Sequence, residues 1–169
     1  MVRRLSAALV IAILLAGPAA GQVVRATVEV QGMACPFCAF GVEKRLRKVE
    51  GVSTIEVAMA EGQATLEVRE GESIDLAGIP GAVRRAGFTP GRVEAEVIGV
   101  PRREEAQTSR RWSLTADGQK ILLVDTPDEL AEQLAGLAQG GSAARVRGIL
   151  RLPIGEHPEL EPLEVEAGP

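Results

Sequence analysis

Cys35 and Cys38 are the only thiols in this chain of 169 residues, and they stand together in Gly32-Met33-Ala34-Cys35-Pro36-Phe37-Cys38. A thiol pair at this spacing has three uses: a metal clamp, a redox couple or a structural disulfide. The metal reading asks which ion two sulfurs can satisfy. Thiolates select soft ions such as Cu(I), and the same softness argument extends to Hg(II). Both accept nearly linear coordination by two sulfurs. Structural zinc normally takes four ligands, and His157, the one histidine, lies in a different part of the chain. Zinc is therefore the less expected cargo.

The flanking sequence decides how the two sulfurs are held. Val24, Ala26, Val28 and Val30 alternate with Arg25, Thr27 and Glu29, the period of a strand with one buried face. Gln31 to Cys35 form a loop, and Pro36 suits the first turn of a helix. Ala39, Val42, Leu46 and Val49 then recur at helical spacing. Glu43, Lys44, Arg45, Arg47 and Lys48 occupy the other face, and Gly51 stops the helix. Residues three apart share one face, so both sulfurs can point at one ion. Unpaired N–H groups and the positive dipole end at a helix start favour thiolate over thiol.

Two strands follow: Ile55, Val57 and Met59 alternate, Ala60 to Gln63 turn, and Ala64, Leu66 and Val68 alternate on the return. Leu76, Ile79, Val83 and Ala86 have helical spacing, with the regular part beginning near Pro80 and Gly87 ending it. Val93, Ala95 and Val97 mark a last strand. Residues 22–99 thus read as β-α-β-β-α-β, the ferredoxin-like split βαβ arrangement of an α+β domain.

These residues resemble the heavy-metal-associated domain family of copper chaperones, metal-pump N-termini and periplasmic mercury-binding proteins. The resemblance covers about Val23 to Ile98. It rests on Gly-Met-x-Cys-x-x-Cys, the amphipathic helix, Val49-Glu50-Gly51-Val52 and Ala86-Gly87-Phe88, in the order the fold requires. It implies Cys35 and Cys38 as metal ligands, Met33 packed inward beneath the loop, and Phe88 where relatives cover the metal loop. It also implies a membrane metal transporter or another thiol acceptor as partner. Phe37, between the ligands, is a docking contact if exposed. Pro36 is a departure: it removes one N–H from the loop, and Cys-Pro-Phe-Cys looks like the active sequence of some exported thiol–disulfide enzymes.

The remainder has no cysteine. Residues 100–110 read as a linker, with Arg102, Arg103, Glu104 and Glu105 and no apolar face. Residues 111–169 read as a small β-rich domain with one helix. Trp112 to Thr115 and Ile121 to Val124 are strands joined by Asp117-Gly118. Pro127 opens a helix capped by Thr126, with Leu130, Leu134 and Leu137 on one stripe and Gly140-Gly141 at its end. Ala144, Val146, Gly148 and Leu150 alternate as a third strand, and Leu163 and Val165 suggest a fourth. This order fits a small barrel of the oligonucleotide/oligosaccharide-binding (OB) type without an evident first strand, or a small α+β sandwich.

The first residues read as a secretory signal peptide over 1–21: Arg3 and Arg4, an apolar run of 12 residues from Leu5 to Ala16, then Gly17 to Gly21. The run is short for a membrane span, which needs about 20 apolar residues. The expected product is an exported, periplasmic protein without stable membrane insertion, a monomer or a metal-bridged dimer. A net charge of -4 and 2% aromatic content argue against nucleic-acid binding, which needs cations and stacking rings. No nucleophile elbow or phosphate-cradling loop stands out. The expectation is a metal-binding protein and not an enzyme. The alternative is a thiol–disulfide oxidoreductase with Cys35 as nucleophile and Cys38 as resolving thiol. In a third reading the second unit binds a protein or glycan while the first senses metal. His157, in an acidic Pro-rich stretch, reads as a solvated loop residue.

Overall fold

The structure is a computed structural model that describes residues 21–105, 110–151 and 157–169. The expected signal peptide, apart from Gly21, lies outside the described residues.

Strand β1 (Gln22–Gln31) buries Val23, Ala26, Val28 and Val30. Strict alternation would turn Val24 inward. A register shift between Val23 and Arg25 puts Val23 there instead, as a β-bulge does. Helix α1 (Pro36–Leu46) buries Val42 and Leu46, and the turns after it bring Val49 to the same core. β2 (Val52–Ala58) and β3 (Gln63–Val68) form the expected hairpin. Helix α2 (Gly78–Arg85) holds Pro80 in its first turn, where a missing N–H costs nothing, and β4 (Thr89–Gly99) buries Val93, Ala95 and Val97. The four strands pair antiparallel in the order β2-β3-β1-β4, and both helices add to one buried cluster with them. This is the ferredoxin-like arrangement expected for residues 22–99.

The second half does not begin a separate sheet. β4 pairs through its free edge with β8 (Ala144–Arg151), from Glu94↔Ile149 to Gly99↔Ala144. β8 pairs antiparallel with β9 (Glu159–Ala167), which lies parallel to β7 (Gln119–Leu123). β7 pairs with β6 (Arg110–Ala116), and β6 with β5 (Arg102–Glu105). β5 follows β4 directly after Val100 and Pro101, so the chain of pairings leads back to the strand where it began. Gly99 makes the return possible: a Cβ there would lie 2.8 Å from the Thr115 carbonyl oxygen. The β6–β7 turn is then tied to the start of β1. The Asp117 N–H donates to the Gly21 carbonyl at 2.6 Å, and the Asp117 carboxylate accepts the Val23 N–H at 3.1 Å. Burial raises the Asp117 carboxyl above its ordinary range, and the Val23 bond partly offsets this.

Three readings of this half need correction. Residues 102–105 are a paired strand, not linker; all four are charged, so no apolar alternation marks them, as is common at a sheet edge. Residues 106–109 lie outside the described set. Thr126 does not cap the helix α3 (Asp128–Gly140). Pro127 occupies the N-cap position, leaving Thr126 one residue too early to reach the first free N–H groups. Its Oγ1 is buried without a hydrogen-bond partner among the described residues. Leu163 is exposed, because the β8–β9 register slips between Arg147↔Glu164 and Gly148↔Pro162 and leaves it unpaired. The inward residues are Leu160, Pro162 and Val165. The other signals hold. Asp117 and Gly118 both have positive φ (52° and 74°), the backbone of a two-residue type I′ hairpin turn. Leu134 is fully buried, and Gly141 closes α3 with φ 64° while Ser142 N–H reaches the Leu137 carbonyl, a Schellman end.

Outward side chains run as alternating charges across five strands. Glu67 pairs with Arg25 (2.8 Å), Arg25 with Glu96 (3.7 Å), and Glu96 with Arg145; Glu94 pairs with Arg147 (3.3 Å), and Arg147 with Glu164 (2.9 Å). Each exposed pair adds little alone, yet the ladder crosses the β4–β8 boundary without a break.

Candidate metal centre

Four features of the local sequence hold the cysteines. β1 ends at Gln31, whose partner is Thr89 at the start of β4. Gly32 then takes φ 84°, a left-handed backbone that turns the chain toward the helix and that a side chain would oppose. Met33 is 6% exposed and anchors the loop from below, as the resemblance implied. Cys35 is extended (φ -144°, ψ 151°) and serves as N-cap of α1, with Pro36 at the first helical positions, where its fixed φ suits the helix.

The cap brings the pair together. The Cys35 sulfur accepts the Cys38 N–H at 3.2 Å, and the Cys35 carbonyl accepts N–H bonds from Cys38 (2.9 Å) and Ala39 (3.1 Å). The Cα atoms of Cys35 and Cys38 are 5.1 Å apart, and the sulfurs are joined as a disulfide. Both side chains are half-buried. A sulfur accepting a backbone N–H at a helix N-terminus is stabilised as an anion by that bond and by the helix dipole. Once the disulfide is opened, both sulfurs stand at the positive end of α1, with the Cys38 N–H directed at one of them.

The surroundings are apolar and cationic. Phe37 stands 88% exposed between the cysteines, and Phe40, not singled out by the sequence reading, is 64% exposed one turn on. Its signal was legible, since positions three apart share a helix face. Lys44 and Arg45 lie in the last turn of α1, where cations complement the dipole. Phe88 is half-buried and packs against the core. His157 lies away from the cysteines, at a cleft bordered also by Glu50, Asp75, Asp117 and Lys120. No group of three or more His, Cys, Asp and Glu residues fit for a metal ion occurs among the described residues.

Residues 27–89 match the model of the Heavy-metal-associated domain. Together with the Gly-Met-x-Cys-x-x-Cys loop on its split βαβ scaffold, this identifies residues 27–89 as a heavy-metal-associated domain, a heavy-metal-binding module. Among its relatives are a copper-exporting P-type ATPase of Bacillus subtilis (strain 168), 32% identical over 89 residues, and a mercuric reductase of Shigella flexneri, 33% identical over 75 residues. These matches take in 51% and 44% of the present chain. They span only 11% and 13% of the two relatives. The solved structure of oxidized MerP from Ralstonia metallidurans CH34 is 32% identical, with 43% of this chain and 96% of that one aligned and a TM-score of 0.36.

Proposed function

We propose that this protein is an exported, periplasmic carrier that captures a soft ion, Cu(I) or Hg(II), between Cys35 and Cys38 and passes it by stepwise thiolate exchange to a membrane metal transporter or another thiol acceptor. The observation that carries the reading is the Cys35 cap: it holds two sulfurs at one helix start, with an N–H already donated to one of them. Family membership and the names of the copper and mercury relatives support the choice of soft ions. Capture requires the disulfide to open, taking two electrons and two protons from a dithiol, and ion binding then displaces both protons. Uptake therefore weakens as pH falls. The binding role needs no catalytic step, and we read the protein as a carrier and not an enzyme.

The disulfide itself favours a second reading, thiol–disulfide exchange through Cys-Pro-Phe-Cys. Titrating the reduced chain with Cu(I) and with Hg(II) separates the two. The carrier takes up one ion per chain and releases it to a competing dithiol. Absence of uptake together with rapid exchange with a model disulfide supports the oxidoreductase instead.

For the second half we infer a barrel of the OB type. Its first strand would be β4 bending at Gly99 to Pro101 into β5, followed by β6, β7, α3, β8 and β9. Support comes from the antiparallel β4–β8 pairing, the parallel β7–β9 pairing and the helix between the third and fourth strands.

A further inference from the structure

Helix α1 shows two kinds of surface on its outer face. At its start Phe37 and Phe40 project 88% and 64% exposed, two of the four aromatic side chains other than His in the chain. Further along come Lys44, Arg45 and Lys48, and Arg85 of α2 joins them around one shallow depression between the helices. None of these four cations takes part in an ion pair among the described residues, although Arg47 beside them pairs with Glu43. At 100° per residue, Phe37, Phe40 and Lys44 fall on one arc of α1, opposite the buried Val42 and Leu46, and Lys48 follows in the turn after the helix. The chain as a whole carries -4, so this positive face is a local feature set against the net charge.

We propose that this face docks reversibly on an anionic phospholipid surface, with the two phenylalanines entering the headgroup boundary and the cations meeting lipid phosphates. An exposed aromatic pair on a convex helix start, next to a cluster of unpaired cations, combines apolar insertion with attraction to anionic lipid, the two contributions that set binding at a membrane interface. A fluid interface accepts protruding rings without a matching pocket. Lys and Arg stems can lie along the apolar boundary while their heads remain wet. Anionic lipid attracts each nearby cation with an energy that salt screens. The contact is peripheral, and no helix of the described residues is long and apolar enough to cross a membrane. Its consequence is positional: Phe37 sits between the cysteines, so docking sets the sulfur pair at the bilayer surface.

The test is co-sedimentation of the chain from Gly21 onward, which keeps every described strand and helix, with vesicles of phosphatidylcholine alone or mixed with phosphatidylglycerol. The expected result is binding to the mixed vesicles, lost as salt is raised. Phe37→Ala with Phe40→Ala lowers the partition roughly tenfold, and Lys44→Glu with Lys48→Glu lowers it further. These side chains are exposed, and circular dichroism of each variant should match the parent. Equal partition onto neutral and anionic vesicles, or anionic binding unaffected by the charge reversals, overturns the proposal and leaves the face to an acidic protein partner. Cys35 and Cys38 are untouched throughout, so metal uptake is measured independently of either outcome.

Discussion

The half of the molecule that carries the cysteines owns all four of its strands by Gly99, whereas the half that follows has no wall of its own against which β8 can pair. β4 supplies it. One edge of β4 completes the metal domain by pairing with β1, and the other edge opens the second half; the bend after Gly99 then supplies β5 as well. The comparison shows a one-way dependence. The first half can bury Ala26, Val28, Leu46, Leu66 and Val83 without the second, but the second cannot complete its sheet without the first.

The largest effect expected from breaking this comparison is on truncated chains. A chain ending at Gly99 keeps its fold and its ion uptake, while a fragment beginning at Pro101 stays unfolded by circular dichroism and amide dispersion. A folded 101–169 fragment would break the asymmetry. Next come single core residues. Leu46→Ala and Leu134→Ala each empty a fully buried site and should each cost about 2–5 kcal/mol. Because the strands form one continuous sheet, both shifts should appear in a single unfolding transition; two separate transitions would show that the halves melt independently.

Gly32→Ala sharpens the comparison at the site. Nothing lies within 4 Å of a Cβ placed there, so the cost arises from the left-handed backbone at φ 84°, about 1–2 kcal/mol. Ion affinity should fall while the second half is undisturbed, as read from the Trp112 fluorescence. The smallest effect concerns pH. Bonds from Lys120 and, secondarily, from Ser113 hold the Glu104 carboxyl below its ordinary range. A carboxylate lowered in the folded state adds stability above its unfolded pKa, and that stability is lost as pH falls through the folded value. The difference between the parent and Glu104→Gln should therefore be greatest near neutral pH and vanish in acid. It should remain under about 1 kcal/mol, since the pair is largely solvated.

The first half was legible because its signals agree. Alternation in β1, β3 and β4, helical spacing in α1 and the glycine after α2 all point to one topology, and the thiols fall at its first loop-to-helix junction; Gly51, read as the stop of α1, instead lies in the turns after Leu46. The misses share a physical origin: a local irregularity that a fixed period cannot register. Bulges displaced Val24 and Leu163, and an all-charged edge hid β5. Pro127 took the cap position meant for Thr126. The β4–β8 pairing is not legible in the sequence for another reason. β4 reads as the last strand of the first half, and period-2 alternation says nothing about a strand that pairs through both of its edges.

The central claim is that two sulfurs held at the start of α1 account for soft-ion capture. The most direct test is the Cu(I) stoichiometry of the reduced protein against that of a Cys35→Ser, Cys38→Ser variant, at equal ion and competitor concentrations. One ion per chain in the parent and none in the double variant is the predicted result. Equal uptake by both proteins would contradict it.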